Sequence, residues 1–552
     1  MLSVVAGLLL TVSLTYTPPV DYEMSLAGNF AEPRPNHFHG GIDVKTAGVE
    51  GKPVYSVADG YVSRIIVGLY GYGNAVFVSH PDGNTSVYCH LKSFSPRIAS
   101  FVRRWQYANE SWQADIRLSP LACPLAQGQF IALSGNTGAS TAPHLHLEFH
   151  DTKTWVMTDP LDVLKPYVRD NTPPMAHAFM VYPQDGGSSF NGGCGRQSFR
   201  FTSHELPVKF HAWGKIGFGI CANDYSEITY NKYGVRETVL KVDGCEVFRS
   251  NTDRIPVQLT RMVNSWGDYG YYYHSGVWYL KSFLEHGNAL PVLTTDKSSG
   301  IVDFSEERDY RIEYVLRDVH GNSSSYRFTV TGRRPDTPPS PQPADDAAIG
   351  LPWNTTNMVS LPGMQLVIPP RLLDGDTRLK PVVLRQPDGL SDRYTFSARS
   401  LPLFHWAEVS IAVNRKVGNP DKLYIMSDAA PGGYIGGEYK DGWVRGRLRD
   451  LGARYELAYD DVPPRIVPIG RQGWEATAVI RFEVSDDRSG IRSCKGYVDG
   501  HFVLFENKDK SRVVACNLHD TPLRRTGRPR HLRLTVTDNR GNAASYDAEI
   551  VY

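Results

Sequence analysis

The sequence predicts a mainly β protein, a small antiparallel β-sheet unit followed by β-sandwich domains. Three observations point there. Aromatic residues make up 11% of the chain, and 50 glycines with 37 prolines punctuate it, which favours short strands and turns over long helices. Strand-like runs such as Val62-Ser63-Arg64-Ile65, Ala75-Val76-Phe77-Val78 and Ser86-Val87-Tyr88-Cys89-His90 are separated by Gly-rich and Pro-Asp-Gly turns. A set of turn signals also recurs in two distant parts of the chain. At 552 residues there is room for roughly three to five domains, each with its own core. The net charge is +1, with Lys and Arg spread evenly, so neither a nucleic-acid nor a membrane-surface footprint is expected.

Residues 1–20 read as a signal-peptide-like segment. The apolar run Val4 to Leu14 is too short to span a bilayer comfortably, although a basic n-region and an A-x-A cleavage site are missing. No Cys follows it that would carry a lipid anchor. Export to the periplasm or cell envelope, without stable membrane insertion, is the expectation.

Residues 21–168 form the first folded unit, with Leu26 to Phe30 as its approach strand. In Leu145-His146-Leu147-Glu148-Phe149-His150 polar and apolar residues alternate strictly, the pattern of a half-buried strand. Period two puts His144, His146, Glu148 and His150 on one face and Leu145, Leu147 and Phe149 on the core face. Upstream, His39-Gly40-Gly41-Ile42-Asp43 cannot be helical across two glycines. It reads as a strand or tight turn, its glycines leaving backbone room for a substrate. Two histidines and a carboxylate are what a catalytic zinc site needs, with a fourth position open for water.

His39-x-x-x-Asp43, Tyr88-x-His90-Leu91 and His144-x-His146 occur in that order, flanked by Pro53 to Gly60, Gly71-Tyr72-Gly73-Asn74 and Ser134-Gly135-Asn136-Thr137-Gly138. Together they resemble the lysostaphin/LytM-type zinc metallopeptidases, endopeptidases that cut the peptide bridges or stems of bacterial peptidoglycan. The resemblance covers residues 27–165. It implies that His39, Asp43 and His146 bind one Zn2+ per chain, and that His90 and His144 flank the metal without ligating it. His144 is the candidate general base and His90 the candidate oxyanion donor, although sequence does not fix which does which. His150 stands where the resemblance leads one to expect Arg. Single histidines on strands are more often structural than ligating, so His37, His80 and His150 are read as structural, with His37 also placed to orient a ligand.

Residues 92–127 look like an insertion. Ile98, Phe101, Val102 and Trp105 predict a short amphipathic helix, covering one end of the sheet or walling one side of a groove. Tyr70 and Tyr72 are candidates for another side, where an extended peptide docks by backbone hydrogen bonds.

After residue 168 a repeat begins. Asp170-Asn171-Thr172-Pro173-Pro174 is echoed by Asp460-Asp461-Val462-Pro463-Pro464, and Val242-Asp243-Gly244 by Val498-Asp499-Gly500. Asp318-Val319-His320-Gly321-Asn322 is echoed by Asp538-Asn539-Arg540-Gly541-Asn542. These signals predict two copies of one immunoglobulin-like β-sandwich, at 169–333 and 460–552. A Pro-rich linker at 334–352 and a separate β-sandwich at 353–459 lie between them. The Asp-rich turns are read as solvated carboxylates in preference to calcium sites, and His405 and Trp406 as core. Among seven cysteines, Cys494 with Cys516, and two of Cys194, Cys221 and Cys245, are candidates for pairing, while Cys89 and Cys123 are read as buried thiols.

The predicted function is zinc-dependent hydrolysis of peptidoglycan cross-links or stems. A peptidoglycan peptide is the substrate, and the β domains offer surfaces to envelope protein partners. The rival readings are a non-catalytic envelope binding protein with a vestigial zinc site, and a metallopeptidase acting on another envelope peptide.

Overall fold

The structure, a computed structural model, describes residues 15–336, 347–507 and 510–552. Most of the expected signal core, and linker residues 337–346, lie outside them. Among the described residues no helix is long and apolar enough to cross a membrane.

The site is carried by one antiparallel sheet. Its main strands are Leu26–Gly28 (β1), Gly41–Lys45 (β2), Gly60–Val67 (β3), Ala75–Ser79 (β4), Asn84–Cys89 (β5), Ala114–Arg117 (β6) and His144–Asp151 (β7). They lie in the order β1-β2-β7-β5-β4-β3-β6. The long strand β7 is central. In register, His146 stands opposite Asp43 on β2 and opposite Cys89 on β5. Ile42 and Val44 of β2 and Leu145, Leu147 and Phe149 of β7 share one core. Period two therefore sends Asp43, His146 and Glu148 to the other face. That face is not half-exposed as the alternation suggested. Glu148 and His150 are buried as well, because Tyr72 bonds Glu148 and Trp155 stacks on His150 at 4.3 Å.

The helix Pro96–Asn109 (α1) buries Ile98, Val102 and Gln106 and packs Phe101 and Trp105 against the same core. It covers the sheet end and does not line the metal-facing groove. The folded unit starts before residue 21: Tyr16 is buried, its ring against Phe149 and its hydroxyl on Asp82 at 2.6 Å.

Three further cores follow, each enclosed by two sheets. The first gathers Phe179, Phe218, Phe328 and Tyr314. The second gathers Leu366, Ile411, Ile425 and Tyr455, and the last Phe482, Cys516, Leu534 and Val536. The repeat is legible at atomic level in the first and last of these. Asp243 accepts from the backbone N–H of Arg311, and Asp499 from that of His531, both at 2.8 Å. Asp243 pairs with Arg308 and Asp499 with Arg530. Asn322 donates to the Asp170 carbonyl and Asn542 to that of Asp460.

Several expectations are corrected. All seven cysteines are free; Cys494 and Cys516 sit on different sheets of the last core. Ile349–Leu351, assigned to the linker, pairs with Thr377–Leu379. His405 is exposed, while Trp406 lies under the Arg449 guanidinium at 3.8 Å. The repeat's Asp-rich turns are not solvated: Asp318, Asp460 and Asp538 are buried.

Candidate metal centre

Three side chains from the two ends of the peptide stretch meet at one point. His39 Nε2 lies 3.0 Å from Asp43 Oδ1 and 3.0 Å from His146 Nδ1, and His146 Nδ1 lies 2.8 Å from Asp43 Oδ1. All three residues are buried. The second nitrogen of each ring has its own acceptor. His39 Nδ1 faces the Asn29 carbonyl at 2.6 Å, and His146 Nε2 faces Glu148 Oε1 at 3.0 Å. Each acceptor takes the ring's proton, so in the neutral rings Nε2 of His39 and Nδ1 of His146 carry lone pairs. Without a cation, His146, raised to about 9, keeps a proton at Nδ1 as well, crowded between His39 Nε2 and Asp43 Oδ1. A cation at the centre resolves that conflict, and a nitrogen–oxygen–nitrogen set suits zinc.

The electrostatics agree. Burial, only partly offset by Asp43, pushes His39 down to about 4. Burial also works against charging His146, but bonds to Asp43 and Glu148 drive it up to about 9. Burial opposes ionisation of Asp43, yet the surrounding histidines hold it far below the carboxylate range. The triad seeks one positive charge at its middle.

His90 and His144 stand beside it, their ring centroids 4.9 Å apart. His144 Nδ1 bonds the Ala142 carbonyl at 2.8 Å and its Nε2 lies 3.3 Å from Asp43 Oδ1. His90 Nδ1 bonds the Thr137 carbonyl at 2.8 Å. Burial and the neighbouring His146 and His144 push His90 down to about 3. Its proton is claimed at Nδ1, so the neutral ring offers Nε2 as an acceptor. The oxyanion-donor role expected of His90 would need the proton at that nitrogen instead. His90, His144 and His146 also lie close enough to form a second metal-ligating group.

His90 holds a left-handed backbone, φ +60°, a strained conformation for a residue of this kind. Two glycine loops enforce it. A Cβ on Gly73 would meet the backbone nitrogen of Gly138 at 2.5 Å, and one on Gly138 would meet that of Gly73 at 2.3 Å. Only glycine lets the loops touch beneath His90. The glycines of the first motif let the chain pack closely too, and Gly40 also lines the groove. A Cβ on Gly41 would meet the Leu147 carbonyl oxygen at 2.1 Å, and one on Gly40 would meet Glu148.

Sequence reasoning missed the groups that orient the centre. Arg34 holds the second oxygen of Asp43 at 2.9 Å. Glu148 accepts from His146, from His150 at 2.7 Å and from Tyr72 at 2.9 Å. Its place beside His146 in the alternation was the only available signal. The centre opens into a groove of about 860 Å³ walled by Tyr72, Ser140, Met157, Val257 and Thr260. Val257 and Thr260 come from the next unit, whose Thr260 hydroxyl accepts from the Phe38 N–H at 2.9 Å. Tyr70 is 84% exposed and absent from the walls. His37 is exposed at the groove, and its one hydrogen bond among the described residues is to the Pro35 carbonyl. His80 is held by the Asp59 carbonyl and Ser86.

Residues 37–107 match the family described as Peptidase family M23, and residues 349–460 match a Zu5-like domain. An uncharacterized metalloprotease of Haemophilus influenzae is 33% identical over 112 residues, 20% of this chain and 18% of that protein. The DD-carboxypeptidase/endopeptidase Mpg of Neisseria meningitidis serogroup B is 35% identical over 111 residues, 20% of this chain and 19% of Mpg. The chain thus spans about a fifth of the length of these curated relatives. Among solved structures, a zinc containing peptidase from Vibrio cholerae is 26% identical, covering 27% of this chain and 39% of that one, with a TM-score of 0.19.

Proposed function

We propose, from the match of residues 37–107 to peptidase family M23, that the chain is a zinc-dependent endopeptidase that hydrolyses peptide cross-links or stems of bacterial peptidoglycan in the cell envelope. The observation that carries the reading is the convergence of His39 Nε2, His146 Nδ1 and Asp43 Oδ1 on one point. These three are the ligands; His146 is shared with the alternative group, but Asp43 brings the negative charge a dication needs. Zinc held there supplies Lewis acidity, acidifying water and polarising a peptide carbonyl.

The chain's own residues do the rest. His90 keeps a neutral ring whose Nε2 accepts a hydrogen bond and so aims the attacking water. His144 takes the proton. Its Nδ1–H is anchored on Ala142, and Asp43 Oδ1 at 3.3 Å from Nε2 stabilises the imidazolium that forms. The protonated ring then returns its proton to the leaving amine. Arg34 and Glu148 fix the orientation of Asp43 and His146, and the groove accepts an extended peptide. Named functions of relatives support the substrate class: Mpg is called a DD-carboxypeptidase/endopeptidase, and a Vibrio cholerae relative a peptidoglycan DD-endopeptidase.

Purified protein is expected to carry about one zinc per chain, to lose cleavage to a chelator and to regain it with zinc. Mass spectrometry of muropeptides from digested sacculi identifies the bond cut. His144→Ala is expected to keep zinc and lose cleavage. Zinc-free purified protein, or sacculi left intact by the zinc-loaded chain, sinks the reading.

A further inference from the structure

A second group of metal-ligating side chains lies where the first sandwich meets β1. The repeated turns bring Asp170, Asp318 and His320 together, one ligand atom of each within 4.8 Å of the others. A fourth group comes from a strand far away in sequence. Asp224 is 5% exposed, and its Oδ1 has no hydrogen-bond partner. It lines the same small pocket as Asp170 and His320, which Leu26 and Asn29 also line. The pocket's volume is about 20 Å³, room for one water or one small ion.

The imidazole repeats the logic of the catalytic ligands. His320 Nε2 faces the Val168 carbonyl at 2.9 Å, so the neutral ring turns its Nδ1 lone pair inward. That Nδ1 is buried without a hydrogen-bond partner, 3.7 Å from Asp170 Oδ2. No lysine or arginine among the described residues forms an ion pair with any of the three acids, whose one ionic neighbour is His320. A buried water could donate to two of these acceptors, but it brings no charge to offset three acids that share one imidazole. A dication satisfies the lone pairs and the charge at once.

We propose that Asp170, Asp318 and His320, with the unpartnered Asp224 facing the same pocket, bind a divalent metal cation that ties the first sandwich to β1. Three carboxylates and one imidazole fit manganese or zinc better than calcium, which takes oxygen ligands alone. The last sandwich supplies a contrast. There Asp460, Asp486 and Asp538 also gather, but an arginine, Arg540, replaces the histidine. Backbone N–H groups bond each acid there, as they do Asp170 and Asp318, but no carboxylate oxygen matches the buried, unpartnered Oδ1 of Asp224. Nothing is assigned to that copy. The inference does not rest on the peptidase reading, because none of its residues touches the catalytic groove.

The test uses the full chain already saturated with zinc at the catalytic centre. Manganese binds such sites more weakly than zinc and will not displace it. Bound Mn2+ is counted by electron paramagnetic resonance, and thermal stability is read with and without the metal. The wild type is expected to take up one Mn2+ at this site and to melt higher when it does. D224N, which replaces the acid by its uncharged isostere, is expected to bind one ion fewer and to melt like the metal-free wild type. H320Q is expected to bind at least about tenfold more weakly, and it keeps the test open if D224N folds poorly. No Mn2+ uptake by a chain shown by metal analysis to carry only one zinc, or uptake undiminished in both variants, leaves only a buried water and overturns the proposal. Uptake of Ca2+ in place of Mn2+ removes the imidazole from the ligand set and overturns it as well.

Discussion

At the scale of single residues, the centre depends on which ring nitrogen carries the proton. Glu148 decides this for His146, and it is itself buried beneath His150 and Tyr72. Glu148→Gln offers an amide that accepts or donates, so the tautomer is no longer imposed. Zinc affinity is expected to fall about 10–100-fold with little change in fold, as measured by competition with a chromophoric chelator. Undiminished affinity would remove Glu148 from the account. His90 gives a pH prediction. Its folded value is lowered to about 3, whereas in the unfolded chain it titrates near about 6.5. Between those values the unfolded state binds the extra proton. The stability of the zinc-free chain relative to His90→Asn is therefore expected to be constant above about pH 6.5 and to fall as pH drops from there toward 3. Asn is the comparison of choice because it tolerates the left-handed backbone at this position. Parallel melting curves for the two proteins from pH 8 to pH 4 would contradict the buried, neutral ring.

At the scale of elements, the site is a property of strand register. Asp43 reaches His146 because β2 and β7 run opposed with those two residues face to face, and Gly41 permits that approach. Gly41→Ala places a methyl 2.1 Å from the Leu147 carbonyl oxygen, and backbone must move. A loss of about 3 kcal/mol or more is expected, with zinc content falling in parallel because Asp43 moves with β2. A folded Gly41→Ala protein of wild-type melting temperature and full zinc would show that β2 slides freely. Much of this was readable beforehand. Period two alone assigns Leu145, Leu147 and Phe149 to the core and His146 to the opposite face, and the glycine pair excludes a helix around His39. What orients the ligands was not readable. Asn29 and Arg34 act from a loop that no periodicity marks, and the role of Asp224 depends on a strand far from Asp170 and Asp318. Nor could alternation reveal that the polar face of β7 is covered, since the covering residues Tyr72 and Trp155 come from separate turns.

At the scale of the whole molecule, the chain closes on itself. The last sandwich rests on α1 of the first unit: Tyr497 donates to Glu110 at 2.7 Å, and the Tyr107 and Phe502 rings meet edge to face at 5.6 Å. Lys495 approaches Glu110 at 3.7 Å, Arg103 approaches Glu506 at 3.5 Å, and Lys510 reaches the Ser140 carbonyl on the groove wall. Nothing in the spacing of α1 announced this, because pairing between distant surfaces leaves no periodic trace. The contact is small and mixed in character, the kind that opens and closes. Each exposed ion pair contributes about 0–1 kcal/mol and weakens with salt, so the aromatic pair and the Tyr497 bond carry most of the docking. The double variant Tyr497→Ala, Phe502→Ala is therefore expected to swing the last domain free while every core stays folded. Small-angle scattering should show a larger radius of gyration than the wild type at the same ionic strength, and raising the salt should move the wild type only part of the way. Superimposable scattering curves for the two proteins would mean that the domains are held together elsewhere, with the contacts between Arg540 and the Zu5-like unit, to the Gly437 carbonyl at 3.2 Å and to the Asp421 carbonyl, as the next place to cut.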